Sequence, residues 1–245
     1  MIYLDSAATS YYRPREVAQA VYDAILTMGN AGRGSHTSSL NSARMIYETR
    51  CLLNELFHGP GPEQVVFTSN ATEALNIAIQ GLTAPGCGWQ RQQWITTVSY
   101  APCIWQKREG AACRSWMWMR RGGFPWKSWK NCFKMVSISL PVPCIQCDRK
   151  LKSTDRNRKT VQKYGVLFLL DASQTAGVFP IDMERDFIDI LCFTGHKGLM
   201  GPQGTGGMIV QKSVHLPAFK TGGSGVQSFL KHSRRRCRLY WRRGR

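Results

Sequence analysis

The chain has 245 residues, 43% of them hydrophobic, enough for one large core or two modest ones. No apolar run approaches the ~20 residues of a membrane span, and Met1-Ile-Tyr-Leu-Asp5 lacks a basic segment followed by a long apolar one, so no signal peptide is expected and a cytoplasmic location fits. The net charge of +18 would suggest nucleic acid or an anionic membrane, but residues 1–86 carry 5 basic and 7 acidic side chains and 161–230 carry 5 and 5, so the excess lies in 87–160 and 231–245 alone.

In chain order, residues 13–28 are predicted as a helix. Pro14 suits a first turn, and Val17, Val21, Ala24, Ile25 and Met28 fall at helical spacing. Asn30 to His36 reads as a Gly-rich loop. Residues 39–57 give a second amphipathic helix through Ala43, Ile46, Leu53, Leu56 and Phe57, stopped by Gly59-Pro-Gly-Pro62. Val65-Val-Phe-Thr68 reads as a strand, Ser69-Asn70 as a helix cap, and Ala71 to Ala78 as the helix that follows. Residues 87–160 show no sustained period; only Ile95-Thr-Thr-Val98 and Val136-Ser-Ile-Ser139 read as strands there. Six of the nine cysteines and seven of the eight tryptophans fall in that same stretch, which sets it apart from its flanks. The odd cysteine number argues against a disulfide framework. Gly165 to Leu170, Ile188 to Phe193 and Gly206 to Val210 complete the predicted strands, and the first is apolar throughout after its glycine, as a strand covered on both faces would be.

Two of these strands end in chemistry. Asp171-Ala-Ser-Gln174 closes one and Phe193-Thr-Gly-His-Lys-Gly198 the next. Lys197 is followed by a glycine-rich turn that would let backbone approach a ligand; an arbitrary lysine reads as a solvated loop residue, and the surrounding motif overturns that reading here. Asp171 could hold a pyridinium nitrogen or cap the next helix, and Gln174 could bond a ring oxygen or be an ordinary loop amide. Thr72 begins a helix after a strand, where exposed amides and the helix dipole attract phosphate, and Thr194 and His196 could complete such a cup. Competing motifs are weaker. Cys144-x-x-Cys147 has no second pair for zinc, and Gly201 to Gly206 lacks the Gly-Lys-Ser/Thr of a phosphate loop. The arginine run after Arg234 could bind nucleic acid but reads more simply as a disordered tail.

At these residues the chain resembles the cysteine desulfurase group of the class-V aminotransferase fold. The similarity is carried by Tyr3-Leu-Asp-Ser-Ala-Ala-Thr9, Gly32-Arg-Gly-Ser-His36, Phe67-Thr-Ser-Asn-Ala-Thr-Glu-Ala-Leu-Asn76, Asp171-Ala-Ser-Gln-Thr-Ala-Gly177, Thr194-Gly-His-Lys-Gly198 and Gly201-Pro-Gln-Gly-Thr-Gly-Gly207. These motifs cover roughly residues 1–86 and 161–230. The resemblance implies an α/β protein of fold type I, with a mainly parallel seven-stranded sheet flanked by helices, working as a homodimer on pyridoxal 5'-phosphate. It implies Lys197 as the Schiff-base lysine and mover of the α-proton, Asp171 on the pyridine nitrogen and Gln174 on the ring oxygen. Thr72, Thr194, His196 and the Ala71 backbone would bind phosphate. The implied reaction converts L-cysteine to L-alanine and leaves a persulfide on an enzyme cysteine, with a sulfur-acceptor protein as partner. A selenocysteine lyase or an aminotransferase shares this half of the site, and a basic nucleic-acid-binding protein is the alternative of another class.

The chain departs from the family pattern in places. Where the family has a ring-stacking histidine after a strand like Ile95 to Val98, this chain has Ser99-Tyr-Ala-Pro102, with Ala101 in its place. Where it has a cofactor-contacting asparagine after a strand like Val136 to Ser139, Pro141-Val-Pro143 follows. The family's C-terminal small domain, with its substrate-carboxylate arginine and persulfide cysteine, is expected to be missing. Residues 1–230 are thus expected to form the cofactor-binding domain and 231–245 a disordered basic tail. The joint enrichment of Arg, Trp and Cys leads to the expectation that 87–160 and 231–245 are translated out of frame.

Overall fold

The computed structural model describes residues 2–32, 34–82, 88–92, 112–116, 135–139, 167–217 and 219, with backbone only for the three short stretches between 88 and 139. Helix α1, Arg15–Thr27, begins after Pro14, which takes the capping position instead of the first turn. Helix α2, Thr37–Leu56, starts two residues before the predicted boundary because His36 caps it: its Nδ1 accepts from the Ser39 amide at 3.4 Å. A 3-10 turn, Pro62–Gln64, leads into strand β1, Val65–Thr68.

Helix α3, Ala71–Leu82, runs one turn past the predicted end. Its start is capped twice. Asn70 Oδ1 accepts from the Glu73 amide at 2.8 Å, and the Glu73 carboxylate reaches back to the Ser69 amide at 2.8 Å and hydroxyl at 2.7 Å. Strands β2 (Gly88–Gln92), β3 (Ala112–Trp116) and β4 (Met135–Ser139) follow, then β5 (Leu167–Asp171), β6 (Ile190–Thr194) and β7 (Gly206–Val210). The predicted strand at Ile95 to Val98 lies outside the described residues. β2 and β3 were not predicted, because a sequence such as Gly-Trp-Gln-Arg-Gln carries little apolar signal.

The seven strands form one sheet in the order β3-β2-β4-β5-β6-β7-β1. Neighbours run parallel except β7, which is antiparallel to both β6 and β1. The mainly parallel seven-stranded sheet expected from the resemblance is present. Alternate residues of the central strands go to opposite faces. Leu169, Ile190, Cys192 and Met208 pack with Leu75, Ala78 and Ile79 of α3 on one face. Phe168, Leu170, Leu191, Phe193 and Ile209 pack with Phe57 from the end of α2 on the other. All five residues of β6 and all five of β7 are buried, as in strands covered on both faces. The parallel strands β1, β5 and β6 deliver their carboxyl ends to one edge, the edge where open α/β sheets bind ligands.

α1 differs. No residue of it is buried, and Tyr22, Ile25 and Leu26 are 60, 77 and 65% exposed. Its predicted apolar face exists but is not taken up by this core.

Candidate active site

Asp171 is the last residue of β5 and 3% exposed. In the sheet it lies opposite Cys192 of β6. Ser173 orients the carboxylate: its amide donates to Oδ1 at 3.0 Å and its hydroxyl donates to the same oxygen. Thr194 ends β6, 4% exposed, its hydroxyl donating to the Thr205 carbonyl at 3.4 Å. Lys197, half-buried, follows on the turn.

The two loops meet backbone to backbone. Gly177 has φ +79°, a region that favours glycine, and a Cβ there would lie 2.6 Å from the Gly198 carbonyl oxygen. A Cβ on Gly198 would in turn strike the Ala176 carbonyl. The loop after Asp171 and the turn carrying Lys197 are therefore packed to the limit that glycine allows.

The start of α3 arrives at the same edge. Gly206, the first residue of β7, pairs with Thr194 on one side and Thr68 on the other. A Cβ on Gly206 would lie 2.7 Å from Asn70 Cα, so the helix start sits directly against β7. Ala71 is buried as the first residue of α3, and Thr72, the second, is exposed. The start of α3, with the positive end of its helix dipole, thus stands beside the Thr194 strand end.

His196 is tied down. Its Nδ1 lies 2.9 Å from Thr9 Oγ1. Burial first, then the charges of Lys197 and Arg13, hold its pKa below the ordinary 6.5, so the imidazole is neutral at pH 7. Thr9 has one hydroxyl proton and two acceptors in reach, the His196 carbonyl at 3.2 Å and Nδ1 at 2.9 Å. Which one receives it settles which ring nitrogen of His196 keeps its hydrogen. Gln174 donates through Nε2 to the Ala7 carbonyl at 3.0 Å. Cys192 is fully buried, and burial, followed by the Asp171 charge, pushes its thiol well up. It is a core residue, as its position inside a strand suggested, and not a ready nucleophile.

The structure thus places Asp171 and Thr194 at adjoining strand ends and Gln174, His196 and Lys197 on the loops that follow them, with Ala71 and Thr72 across β7. The sequence reading missed Thr9, Ser10, Arg13 and Ser173. Ser173 was legible, two residues past the carboxylate it orients. Thr9, Ser10 and Arg13 lie some 187 positions from their partners, and no local pattern reveals such contacts. Among the described residues no group of three or more His, Cys, Asp and Glu could hold a metal.

The sequence pattern of one family, aminotransferase class-V, matches residues 2–111 and 151–242, further than the recognised motifs extend and into both basic segments. A probable cysteine desulfurase of Streptomyces coelicolor is 28% identical over 95% of this chain and 58% of its own length. The cysteine desulfurase IscS of Rickettsia akari is 29% identical over 91% of this chain and 56% of its own. The chain therefore spans little more than half the length of these relatives. Among solved structures, the apo cysteine desulfurase from Thermococcus onnurineus NA1 aligns with TM-score 0.72 at 22% identity, covering 91% of this chain and 57% of that one. SspA in complex with cysteine aligns with TM-score 0.76 at 18% identity, covering 93% and 66%. The likeness in structure shows the fold, and the sequence match shows the family: the chain belongs to the class-V aminotransferases.

Proposed function

We propose that this chain is the cofactor-binding part of a pyridoxal-phosphate-dependent cysteine desulfurase. The observation that carries the reading is the order of groups along one sheet edge: a buried carboxylate on β5, an amine just past β6, and a helix N-terminus against β7. From β5 to β7 is two strand spacings, about 10 Å, a length that a pyridine ring with a phosphate arm bridges.

The donor set fits the family's cofactor. Asp171, oriented by Ser173, would accept from the protonated ring nitrogen, and Gln174 would donate to the ring oxygen. The Ala71 and Thr72 amides, the Thr72 and Thr194 hydroxyls and His196 would hold the phosphate. Lys197 would bond the cofactor and, once released from it, move a proton at the substrate α-carbon. Bound there, pyridoxal phosphate supplies an electron sink for the negative charge that develops at that carbon. Because the Cys192 thiol is buried and shifted up, the sulfur acceptor is a thiol elsewhere.

The substrate reading follows the relatives, named as cysteine desulfurases, and the solved complex whose title gives cysteine. The C–S bond of L-cysteine would break, the sulfur passing to an acceptor thiol as a persulfide and the carbon skeleton leaving as L-alanine. A homodimer accords with the exposed apolar side chains of α1. Among the described residues no helix is long and apolar enough to cross a membrane. The test is incubation of the chain with pyridoxal phosphate, L-cysteine and a small thiol. Alanine formation that Lys197→Ala abolishes supports the reading. A keto acid in its place favours an aminotransferase, and no turnover of L-cysteine contradicts desulfuration by this chain.

A further inference from the structure

Between Asp5 and α1 the chain runs as a strap across the edge of the sheet, and its polar atoms converge on one place. The Ser10 amide donates to the His196 carbonyl at 3.1 Å, and Thr9 Oγ1 donates to the same carbonyl at 3.2 Å. Ser10 Oγ donates to the Lys197 carbonyl at 2.8 Å. Arg13 Nε donates to the Gly201 carbonyl at 2.9 Å, and Arg13 Nη2 donates to Thr9 Oγ1 at 3.2 Å. At the turn's carbonyls the direction is uniform: the strap donates and they accept.

The strap adds to what already holds the turn. Gly198 packs against the Ala176 carbonyl, and Gly204 takes φ +80°. Its own bonds close it at the base, through Gly195 N to the Thr205 carbonyl at 2.8 Å and Gly201 N to the Gly195 carbonyl at 2.7 Å. The internal bond from the Met200 amide to the Lys197 carbonyl, 2.8 Å, orders the turn without fixing it to the sheet. Of the strap's donors only Arg13 is charged, and charge-assisted bonds are the stronger kind. Its planar fork also reaches two acceptors at once, the far end of the turn and the threonine that bonds its near end.

We propose that Arg13 is a positioning residue for Lys197: its guanidinium bridges Thr9 and the Gly201 carbonyl, closing the strap over both ends of the turn so that the lysine amine is presented in one orientation. The proposal rests on the reading of Lys197 as the lysine that bonds the cofactor. Arg13 itself touches neither cofactor nor substrate in this account; it acts through the backbone from His196 to Gly201.

The experiment uses the full chain with pyridoxal phosphate, reduced with borohydride at timed intervals, which fixes the cofactor to any amine it has condensed with. Mass analysis of peptides then gives the labelling rate at Lys197, with Lys212, 64% exposed and outside the site, as internal reference. In Arg13→Gln the Lys197 rate falls about tenfold while Lys212 is unchanged. Arg13→Lys, which keeps the charge but reaches one acceptor at a time, recovers the rate to within about threefold of the parent. Amide exchange without cofactor gives a second readout: residues 195–201 exchange faster in Arg13→Gln, while the β6 amides do not change. Equal Lys197 labelling in parent and Arg13→Gln overturns the proposal. So does a slower rate that only tracks the folded fraction read by circular dichroism, which marks a structural role. If the parent labels Lys197 no faster than Lys212, the reading of the site has failed, and the proposal falls with it.

Discussion

Lys197 and His196 sit side by side but are held differently. The lysine backbone is clamped through its carbonyl by Ser10 and the imidazole through Nδ1 by Thr9, so one strap orders two groups of the candidate site. The lowered His196 pKa has a consequence for stability. The unfolded chain takes the imidazole proton near the ordinary 6.5, whereas the folded chain takes it only at lower pH. The unfolded state therefore binds more protons in that window, and stability falls as pH drops below 6.5, its contribution being fully present above. Thermal melts from about pH 7 to about pH 5 should show this slope reduced in His196→Gln; an unchanged slope would place its origin elsewhere. Cys192 gives a second outcome at this scale. Buried and shifted up, its thiol should resist alkylation in the folded chain and react only on unfolding. Rapid native-state alkylation mapped to Cys192 would contradict its assignment to the core.

Among the elements, β6 is the keystone, since its alternate residues enter both cores and its end carries the site. Leu191→Ala should cost about 2–5 kcal/mol in denaturant unfolding; a cost under about 1 kcal/mol would mean that this face is not packed as described. Gly198→Ala tests the loop contact. Its methyl must displace the Ala176 carbonyl, so the change should weaken cofactor binding as well as stability, read by titration and melting together. The sequence made some elements easy to read and others not. β7 matches its predicted span because a glycine pair and three apolar residues mark both ends. α3 was legible from its Ser69-Asn70 cap and ran longer because Ile79 and Leu82 keep the apolar spacing. β2 and β3 were not legible, because their pairing in the sheet supplies what their residues do not advertise. Asp171 and Lys197 could be found from strand ends and motif, whereas Thr9 and Arg13 could not, being joined to the site only by the fold. The expectation that 87–160 and 231–245 are out of frame gives an element-scale outcome too, although the family match runs through 87–111, 151–160 and 231–242. The other frames of those gene segments should yield a family-like strand, the missing histidine or the missing asparagine; frames that yield none of them would refute it.

For the molecule as a whole, two cores share one sheet and one edge of that sheet gathers the chemistry. The exposed apolar residues of α1 fit a face covered in an assembled enzyme, and sedimentation of the chain should report a dimer; a monomer at tens of micromolar would remove that part of the account. The central claim is that the amine after β6, the carboxylate ending β5 and the start of α3 grip one cofactor. The most direct measurement is the absorbance spectrum of the purified chain titrated with pyridoxal phosphate, beside Lys197→Ala. The account predicts a saturable new band in the parent that is lost in the variant. A spectrum identical to free pyridoxal phosphate in both, from protein shown to be folded, would contradict it.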